Sequence, residues 1–356
     1  MQFVKYFSLP SDRMILFYNF YCFKDLAIID YSTVGHGVTN LGEIPYLVKE
    51  EKYRDIYSLA LNENDITLGS FKKLEDVVKE VIEKEKVDDI LVLPSAFSEV
   101  LGIDVKAFAM SLALKYQKNI FSVPSKLKNS FYDGEINFYN SLKRFITTSN
   151  VKSNSFNIIG DTYSDFNLLK HDYLIKRISK KYNLVLNKDI LKVKSIKELG
   201  VLSKASLNIC TSESSKSLCE YMKEKIHIDY IDGRGELVSL INLKIKEKAD
   251  DIVIYSNIDD LILFKKYFEK KHIDNITYIL NHPYNGEFDY IETNDFVERF
   301  KNSNSLILSF NDIKDYFSNF ISINSFNSEF DSKIDLFDWK MVFSELMKFK
   351  IVLSRS

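Results

Sequence analysis

The stretch SFKKLEDVVKEVIEKEKVDDILVLP, residues 70–94, decides the fold class of this chain. Its apolar side chains recur at three- and four-residue steps from Phe71 to Ile82, which predicts an amphipathic helix with Ser70 as its N-cap. Residues 90–94 follow as a short apolar run, which predicts a buried strand. A helix that leads into a buried strand is half of a β-α-β unit, the building block of parallel sheets.

The same alternation of short apolar runs and amphipathic helices continues along the chain and predicts three domains. The predicted strands lie at residues 26–30, 90–94, 120–123, 156–160, 184–186, 207–210, 226–231, 252–255, 276–280, 306–309 and 321–323. The other predicted helices lie at residues 105–116, 168–180, 215–223, 237–248 and 339–347. The polar stretch 147–155 separates a first domain, residues 1–150, from a second, residues 151–248. The third domain covers residues 249–356 and ends with the last predicted helix, so we expect an α/β protein of three Rossmann-like, doubly wound parallel-sheet domains.

The composition excludes several classes of function. Lysine and arginine total 48 against 50 aspartate and glutamate residues, so a net charge of -2 offers no general attraction for nucleic acid or an anionic membrane. No apolar stretch approaches the roughly 20 residues that span a bilayer. The three cysteines, Cys22, Cys210 and Cys219, show no CxxC spacing, which indicates neither a disulfide framework nor a zinc site. We therefore expect a reducing, cytoplasmic location.

Glycine-rich phosphate loops are missing from the sequence. Neither a GxGxxG pattern nor a Walker A loop follows any predicted strand. The tripeptide Gly233-Arg234-Gly235 does follow a strand, and it indicates either a plain turn or an anion contact. The missing phosphate signature counts against a nucleotide-sugar enzyme of similar repeated α/β build.

Several segments occur in the order and spacing of a known family. They are KDLAIIDYSTVGHG at 24–37, DITLGSFKKL at 65–74, ILVLPSA at 90–96, GIDV at 102–105, FNIIG at 156–160, ASLNI at 205–209, CEYM at 219–222 and IDYI at 228–231. Together they resemble the nitrogenase component 1 family, which includes molybdenum–iron protein subunits, their cofactor-scaffold relatives and reductases of tetrapyrroles. The resemblance implies three Rossmann-like domains of the nitrogenase component 1 type.

The resemblance also implies where a cofactor would bind. Family members hold an iron–sulfur cluster at or near a subunit interface, through cysteine thiolates on loops after the first-domain strands. In this chain His36 replaces the cysteine of the family's Gly-Cys-Gly turn, between Gly35 and Gly37. These three residues are therefore cofactor candidates, with His36 as a metal ligand to a shared cluster, because imidazole replaces thiolate in some iron–sulfur centres. The alternative is that His36 is a polar residue of a tight turn, satisfied by the backbone.

Two further cofactor candidates are Ser95 and Cys22. Ser95 or Ala96 stands at the family's Ser-Thr-Cys position. Cys22 is the nearest thiol, but it precedes His36 by fourteen residues and is not at the family's first ligand position. Its aromatic neighbours favour a small buried hydrophobe instead.

Four residues after the strands of the second and third domains are weaker candidates for a substrate cleft, because ligands bind at the carboxyl ends of strands in open α/β sheets. They are Asp161, Cys210, His282 and Tyr284. The alternative for Asp161 is a cap on the following helix, and the alternative for Cys210 is a structural role with Cys219.

The resemblance implies a subunit of a nitrogenase-like reductase complex, a degenerate partner of a cysteine-retaining homologue that shares or supports an interface iron–sulfur cluster. Such a subunit would receive electrons from an ATP-dependent iron–sulfur reductase protein and would not be active as an enzyme alone. One alternative is a cluster-free subunit that binds a small molecule or acts as a scaffold. A nucleotide-sugar enzyme is the remaining alternative.

Overall fold

A computed structural model of the chain describes residues 11–33, 56–126, 128–149, 153–161, 165–238, 251–284, 286–309, 313, 316–318 and 320–322. The predicted turn around His36, the predicted helix at 339–347 and most of the predicted helix at 237–248 lie outside these residues. Within the described ranges, no helix is both long enough and apolar enough to cross a lipid bilayer.

The first sheet contains four parallel strands in the order β2-β1-β3-β4. The strands are β1 (Leu26–Tyr31), β2 (Ile56–Ser58), β3 (Asp89–Pro94) and β4 (Asn119–Ser122). The helices around it are α1 (Asp12–Tyr21), α2 (Glu63–Leu68), α3 (Phe71–Glu85), α4 (Ala96–Val100), α5 (Val105–Tyr116) and α6 (Phe131–Leu142), followed by a 3-10 turn at Lys143–Phe145. Strands β1 and β3 are buried at every position, as expected for parallel strands that helices cover on both faces.

The second sheet contains four parallel strands in the order β6-β5-β7-β8. The strands are β5 (Ser155–Ile159), β6 (Val185–Asp189), β7 (Leu207–Cys210) and β8 (Asp229–Asp232). The helices are α7 (Asp165–Tyr182), α8 (Lys216–Ile226) and α9 (Arg234–Leu237), with 3-10 turns at Ile190–Lys192 and Ile196–Lys204.

The third sheet contains five parallel strands in the order β11-β10-β9-β12-β13. The strands are β9 (Ile252–Ser256), β10 (Ile276–Leu280), β11 (Asp289–Tyr290), β12 (Leu306–Ser309) and β13 (Phe320–Ser322). The helices are α10 (Ile258–Lys271) and α11 (Thr293–Phe300). Three parallel sheets with flanking helices confirm the predicted α/β fold class. Each predicted domain range contains one sheet, and the domain boundaries themselves stay predictions.

The strand orders show where ligands can bind. In each sheet the chain begins at a central strand, proceeds to one edge and then returns to the other side of that central strand. The order therefore reverses between β1 and β3, between β5 and β7, and between β9 and β12. Ligands of doubly wound sheets bind in the crevice outside the carboxyl ends of such strand pairs.

The structure corrects the strand predicted at residues 226–231. Helix α8 continues through Ile226, and His227 ends it in the left-handed conformation with a φ of 59°. The reason is that Leu218, Met222 and Ile226 bury one face of the helix at four-residue steps. This helical packing outweighs the short apolar alternation that suggested a strand.

The packing of α1 against α6 depends on one glycine. A Cβ at Gly134 would lie 2.7 Å from the Cα of Asp12, closer than side-chain carbons approach a backbone. The close approach brings Phe20 against Phe138, with ring centroids 5.0 Å apart. At the other end of α6, Tyr132 packs with the apolar residues of the third sheet. Helix α6 thus connects the first sheet to the third.

Candidate functional site

The crevice at the carboxyl ends of β1 and β3 contains a buried ion pair. Arg13 at the start of α1 pairs with Asp30 of β1, and its Nε donates to the carbonyl oxygen of Pro94 at 2.9 Å. Ser32 Oγ donates to the other carboxylate oxygen of Asp30 at 2.7 Å. Burial lowers the pKa of Arg13 to about 10, although the charge of Asp12 opposes the shift. Sequence patterns do not reveal this pair, because its partners come from different elements.

Ser95 lies beside this ion pair, directly after β3. Its side chain is buried, and its Oγ has no hydrogen-bond partner among the described residues. Buried polar atoms usually have partners, so Ser95 Oγ is an oxygen that a ligand in this crevice would satisfy. The predicted candidates Gly35, His36 and Gly37 lie outside the described residues, so their place beside Ser95 stays a prediction.

Cys22 is far from this crevice. Arg13 places the start of α1 at the carboxyl edge of the first sheet, and the ten-residue helix then leads away from that edge. At about 1.5 Å per residue, Cys22 lies roughly 14 Å further along the helix axis. There its thiol donates to the carbonyl oxygen of Tyr18 at 3.5 Å and is buried in the aromatic core. These surroundings fit the interpretation of Cys22 as a small buried hydrophobe.

Asp161 lies at the carboxyl end of β5, where it binds a buried histidine. Asp161 Oδ2 is 3.0 Å from His171 Nε2, and Asp189 Oδ1 is 2.7 Å from His171 Nδ1. The side chains of His171 and Asp189 are 0% exposed. Burial alone would lower the pKa of His171, but the hydrogen bonds and charges of the two aspartates raise it above its usual value. The sequence suggested Asp161 as a ligand contact or a helix cap, but it did not predict the contact with His171 or the role of Asp189.

The backbone at this turn is tightly constrained. Gly160 has a φ of 145°, and a Cβ there would lie 2.7 Å from the main-chain nitrogen of Ser212. Asp161 follows with a φ of 65°, and its main-chain N–H donates to Ser212 Oγ at 3.1 Å. Tyr139 of α6 donates its hydroxyl to the carbonyl oxygen of Asp161 at 2.6 Å. The turns after β5 and β7 are therefore held together, with little room for a ligand between them.

Cys210 ends β7 as predicted, but its thiol points into the protein core. Its Sγ contacts the carbonyl oxygen of Ser212 at 3.3 Å and Ser215 Oγ at 3.4 Å. A hydrogen bond with Cys219 lowers the pKa of Cys210, whereas burial raises the pKa of Cys219. Both thiols are free and buried, which fits a structural role for the pair.

His282 and Tyr284, predicted at the cleft, meet an unpredicted tyrosine from α6. The ring of Tyr132 stacks on His282 with centroids 5.2 Å apart, and Tyr284 contacts Tyr132 edge-on at 5.2 Å. Phe131 contacts the His282 ring at 5.1 Å. Tyr132 Oη and His282 Nε2 are both buried, and neither has a hydrogen-bond partner among the described residues. Burial lowers the pKa of His282 below its ordinary value of 6.5, which favours the neutral ring at pH 7.

Arg234, the centre of the Gly-Arg-Gly tripeptide, forms a cluster with three carboxylates. Its Nε donates to Asp232 at 2.9 Å, Nη1 to Asp259 at 2.9 Å and Nη2 to Glu213 at 3.0 Å. The Arg234 side chain is 8% exposed. Burial alone would lower its pKa, but the three carboxylates raise it above the usual value. Because Asp259 belongs to α10, the cluster joins the second sheet to the third.

The aromatic cluster and the Arg234 cluster are neighbours. Burial raises the pKa of Tyr132, and the negative charges of Asp259 and Glu213 raise it further. Burial also raises the pKa of Tyr284, with Glu213 adding to the shift and Arg234 opposing it. The residues Tyr132, His282, Tyr284, Arg234, Glu213 and Asp259 together form what we call the junction site.

The described residues offer no metal site of their own. In the part of the chain that the structure describes, no group of three or more His, Cys, Asp or Glu side chains is arranged to hold a metal ion. All cysteines of the chain, Cys22, Cys210 and Cys219, are described and buried away from the crevice beside Ser95. The described residues therefore do not fit an iron–sulfur cluster that this chain would ligate alone through thiolates.

Comparison with protein families gives one match that covers more than half of the chain. Residues 31–235 match the family described as nitrogenase component 1 type oxidoreductase. The chain is 27% identical over 187 residues to the nitrogenase iron-molybdenum cofactor biosynthesis protein NifE of Clostridium pasteurianum, a match over 51% of this chain and 40% of the relative. It is 26% identical over 210 residues to a subunit of the light-independent protochlorophyllide reductase of Heliobacterium modesticaldum, which covers 56% of this chain and 40% of that relative. The matched segments thus span well under two thirds of either relative.

Solved structures show the same fold. A structure titled nitrogenase Cp1 at pH 5 superposes with a TM-score of 0.58 and 15% sequence identity, over 82% of this chain and 69% of that chain. A second, at pH 6.5, gives a TM-score of 0.56 with 13% identity, over 82% of this chain and 64% of that chain.

Proposed function

Because the chain belongs to the nitrogenase component 1 type oxidoreductase family, we propose that it is a subunit of a nitrogenase-like reductase complex. In this proposal it supports a homologous subunit that retains the cluster cysteines, and it is not active alone. The two relatives, NifE and the protochlorophyllide reductase subunit, are named for cofactor biosynthesis and for a part of a reductase, which supports a role within a larger assembly.

The observation that carries the proposal is the placement of the cysteines. All three thiols of the chain are buried in hydrophobic cores, and Cys22 lies at the far end of α1 from the first crevice. Ser95, at the family's second ligand loop, offers a buried oxygen and no thiol. A cluster near this crevice would therefore take its thiolates from a partner subunit.

The contribution of this chain to such a cluster would come from the first crevice. His36 is the proposed metal ligand, flanked by Gly35 and Gly37. Ser95 Oγ would form its missing hydrogen bond with a group of the cluster or of its surroundings. The Arg13–Asp30 ion pair holds the end of β1 next to Ser95. In the proposed complex, an ATP-dependent iron–sulfur reductase protein supplies the electrons.

Co-expression tests this proposal. The chain should form a stable hetero-oligomer with a cysteine-retaining component 1-like homologue, and the purified complex should contain iron and acid-labile sulfide. His36→Ala should lower the iron content of the complex, whereas His36→Cys, which restores the family's ligand, should retain it. His272→Asn is the matched control, because His272 is an exposed histidine in the left-handed conformation that asparagine also adopts.

Two outcomes of this experiment would contradict the proposal. If no hetero-oligomer forms with any cysteine-retaining homologue encoded nearby, the partner role fails. If the complex forms but His36→Ala leaves its iron content unchanged, His36 is not a cluster ligand.

A cluster-free binding subunit is the second candidate, and the junction site favours it. Tyr132 Oη and His282 Nε2 are buried polar atoms without described partners, which is typical of a place where a ligand supplies the missing hydrogen bonds. A stable hetero-oligomer that contains no iron would support this candidate over the first.

A further inference from the structure

The Arg234 cluster joins two sheets through the carboxylate of Asp259. Arg234 and Glu213 follow strands of the second sheet, whereas Asp259 lies in the first turn of α10, after β9 of the third sheet. One oxygen of Asp259 accepts two hydrogen bonds, from Arg234 Nη1 at 2.9 Å and from the main-chain N–H of Glu213 at 2.7 Å. The carboxylate of Asp259, from the third sheet, thus binds two N–H donors that both belong to the second sheet.

The two donors have the character of an oxyanion site. A guanidinium N–H and a main-chain N–H converge on one oxygen atom, and hydrogen bonds between ionised partners are shorter and stronger than neutral ones. The Arg234 side chain is only 8% exposed, so water competes little for these bonds. An oxygen of a small carboxylate or a phosphate would find the same two donors if Asp259 moved away.

The charges of the cluster support this interpretation. Lys216 pairs with Glu213 at 3.2 Å, and Lys266 pairs with Asp232 at 3.3 Å. Among the described side chains, the cluster therefore contains three cations and three carboxylates, which sum to zero. Without Asp259 the same groups sum to +1. An anion in place of Asp259 would restore neutrality.

Two buried side chains of the junction site carry polar atoms that a ligand could satisfy. Tyr132 and His282 are each 2% exposed, and Tyr132 Oη and His282 Nε2 lack described partners. The negative charge of Asp259 raises the pKa of Tyr132, and the Tyr132 ring stacks on His282 with centroids 5.2 Å apart.

We propose that Arg234 and the main-chain N–H of Glu213 form a binding site for an oxyanion, a small carboxylate or phosphate, which Asp259 occupies as an internal substitute. An external oxyanion displaces Asp259 and so releases this contact between the second and third sheets. Tyr132 and His282 of the junction site then become accessible to the bound ligand. The proposal concerns this chain alone and does not depend on a partner subunit or a cluster.

The experiment uses the full chain with Asp259→Ala and measures thermal unfolding in inorganic phosphate, in malonate and in chloride at equal ionic strength. Asp274→Ala is the matched control, because Asp274 is an exposed aspartate near the end of the same helix. Asp259→Ala should be less stable than the wild type in chloride and should recover stability in one or both oxyanions. At ten times the dissociation constant, the recovery amounts to RT ln 11, about 1.4 kcal/mol. Comparison of phosphate with malonate shows which oxyanion the site prefers.

A second variant shows whether Arg234 is responsible. Arg234→Met added to Asp259→Ala should abolish the response to oxyanions. If that protein does not fold, Arg234→Lys added to Asp259→Ala should weaken the oxyanion affinity, because lysine lacks the planar fork of donors. The proposal is overturned if Asp259→Ala responds no more than Asp274→Ala, or if its response is unchanged after the substitution of Arg234.

Discussion

Replacement of His171 by glutamine should strongly destabilise the second sheet. His171 is fully buried and lies between Asp161 and Asp189, at 3.0 and 2.7 Å. Both ring nitrogens can donate only when the imidazole is protonated, so below the raised pKa of His171 the folded protein holds a positive charge between two carboxylates. Glutamine removes that charge and leaves the buried carboxylate of Asp189 without a cationic partner at His171.

The expected loss in the free energy of unfolding follows from these contacts. A hydrogen bond to a charged group contributes about 1.5 to 3 kcal/mol, and the substitution removes or weakens two of them. Removal of one member of a buried ion pair costs about 3 to 5 kcal/mol, because the remaining charge is left buried. We therefore expect His171→Gln to lower the free energy of unfolding by about 3 to 5 kcal/mol. A domain has a total stability of about 5 to 15 kcal/mol, so the effect is a large fraction of it.

The effect should depend on pH in a defined direction. The two aspartates raise the pKa of folded His171 above its ordinary value of 6.5. The stabilisation that protonated His171 provides is therefore fully present below pH 6.5, and it is lost as the pH rises through the pKa of His171 in the folded protein. The difference in stability between the wild type and His171→Gln should be largest in mild acid and should shrink at alkaline pH.

Urea unfolding followed by circular dichroism, at a series of pH values, measures this difference. His272→Asn serves as a control at an exposed histidine and should change the stability by no more than about 0.5 kcal/mol. A loss for His171→Gln below about 1 kcal/mol, the value of an ordinary neutral hydrogen bond, would refute the reasoning. A difference that grows as the pH rises would refute it as well.

Three further predictions concern single side chains. Burial lowers the pKa of His282, so just below its ordinary pKa of 6.5 the unfolded chain takes up the proton first, and the wild type loses stability. The unfolding midpoint of His282→Phe should therefore fall less than that of the wild type between about pH 7 and pH 5. Equal falls in the two midpoints would show that His282 is not responsible. Cys22→Ala should leave the iron content of a purified hetero-oligomer unchanged, whereas a loss of iron would identify Cys22 as a ligand after all. Gly134→Ala should cost about 1 to 3 kcal/mol by overpacking against Asp12. Gly235→Ala, with no atom within 4 Å of the added Cβ, is its control, and equal changes in thermal midpoint for the two glycine variants would contradict the packing argument.

Much of the fold could be predicted because local apolar patterns and tertiary packing agree. The predicted bounds of α5, β7, β10 and β12 match the structure, since each is a continuous periodic or apolar run. The short strand β2, Ile56–Ser58, was missed because three half-buried residues carry no recognisable period. Helix α6, Phe131–Leu142, was missed although Ser130 and Asp133 form a capping box at its start.

Prediction of the candidate site was less complete, for a physical reason. Position after a strand was the reason to name Asp161, Cys210, His282 and Tyr284 as candidates, because parallel strands bring their carboxyl ends to one edge. The partners that give these residues their chemistry come from other elements. Tyr132, for example, lies 150 residues before His282 and reaches it only through the packing of α6. Such pairings depend on tertiary contacts that no local pattern records.

We propose that this chain supports a cluster but does not ligate one with its own cysteines. The most direct test is anaerobic reconstitution of the purified chain with iron and sulfide, alone and together with a cysteine-retaining component 1-like homologue. We expect no bound iron–sulfur cluster for the chain alone, and a cluster in the hetero-oligomer. A stable cluster bound by the chain alone, lost when any of its three cysteines is replaced, would contradict the claim.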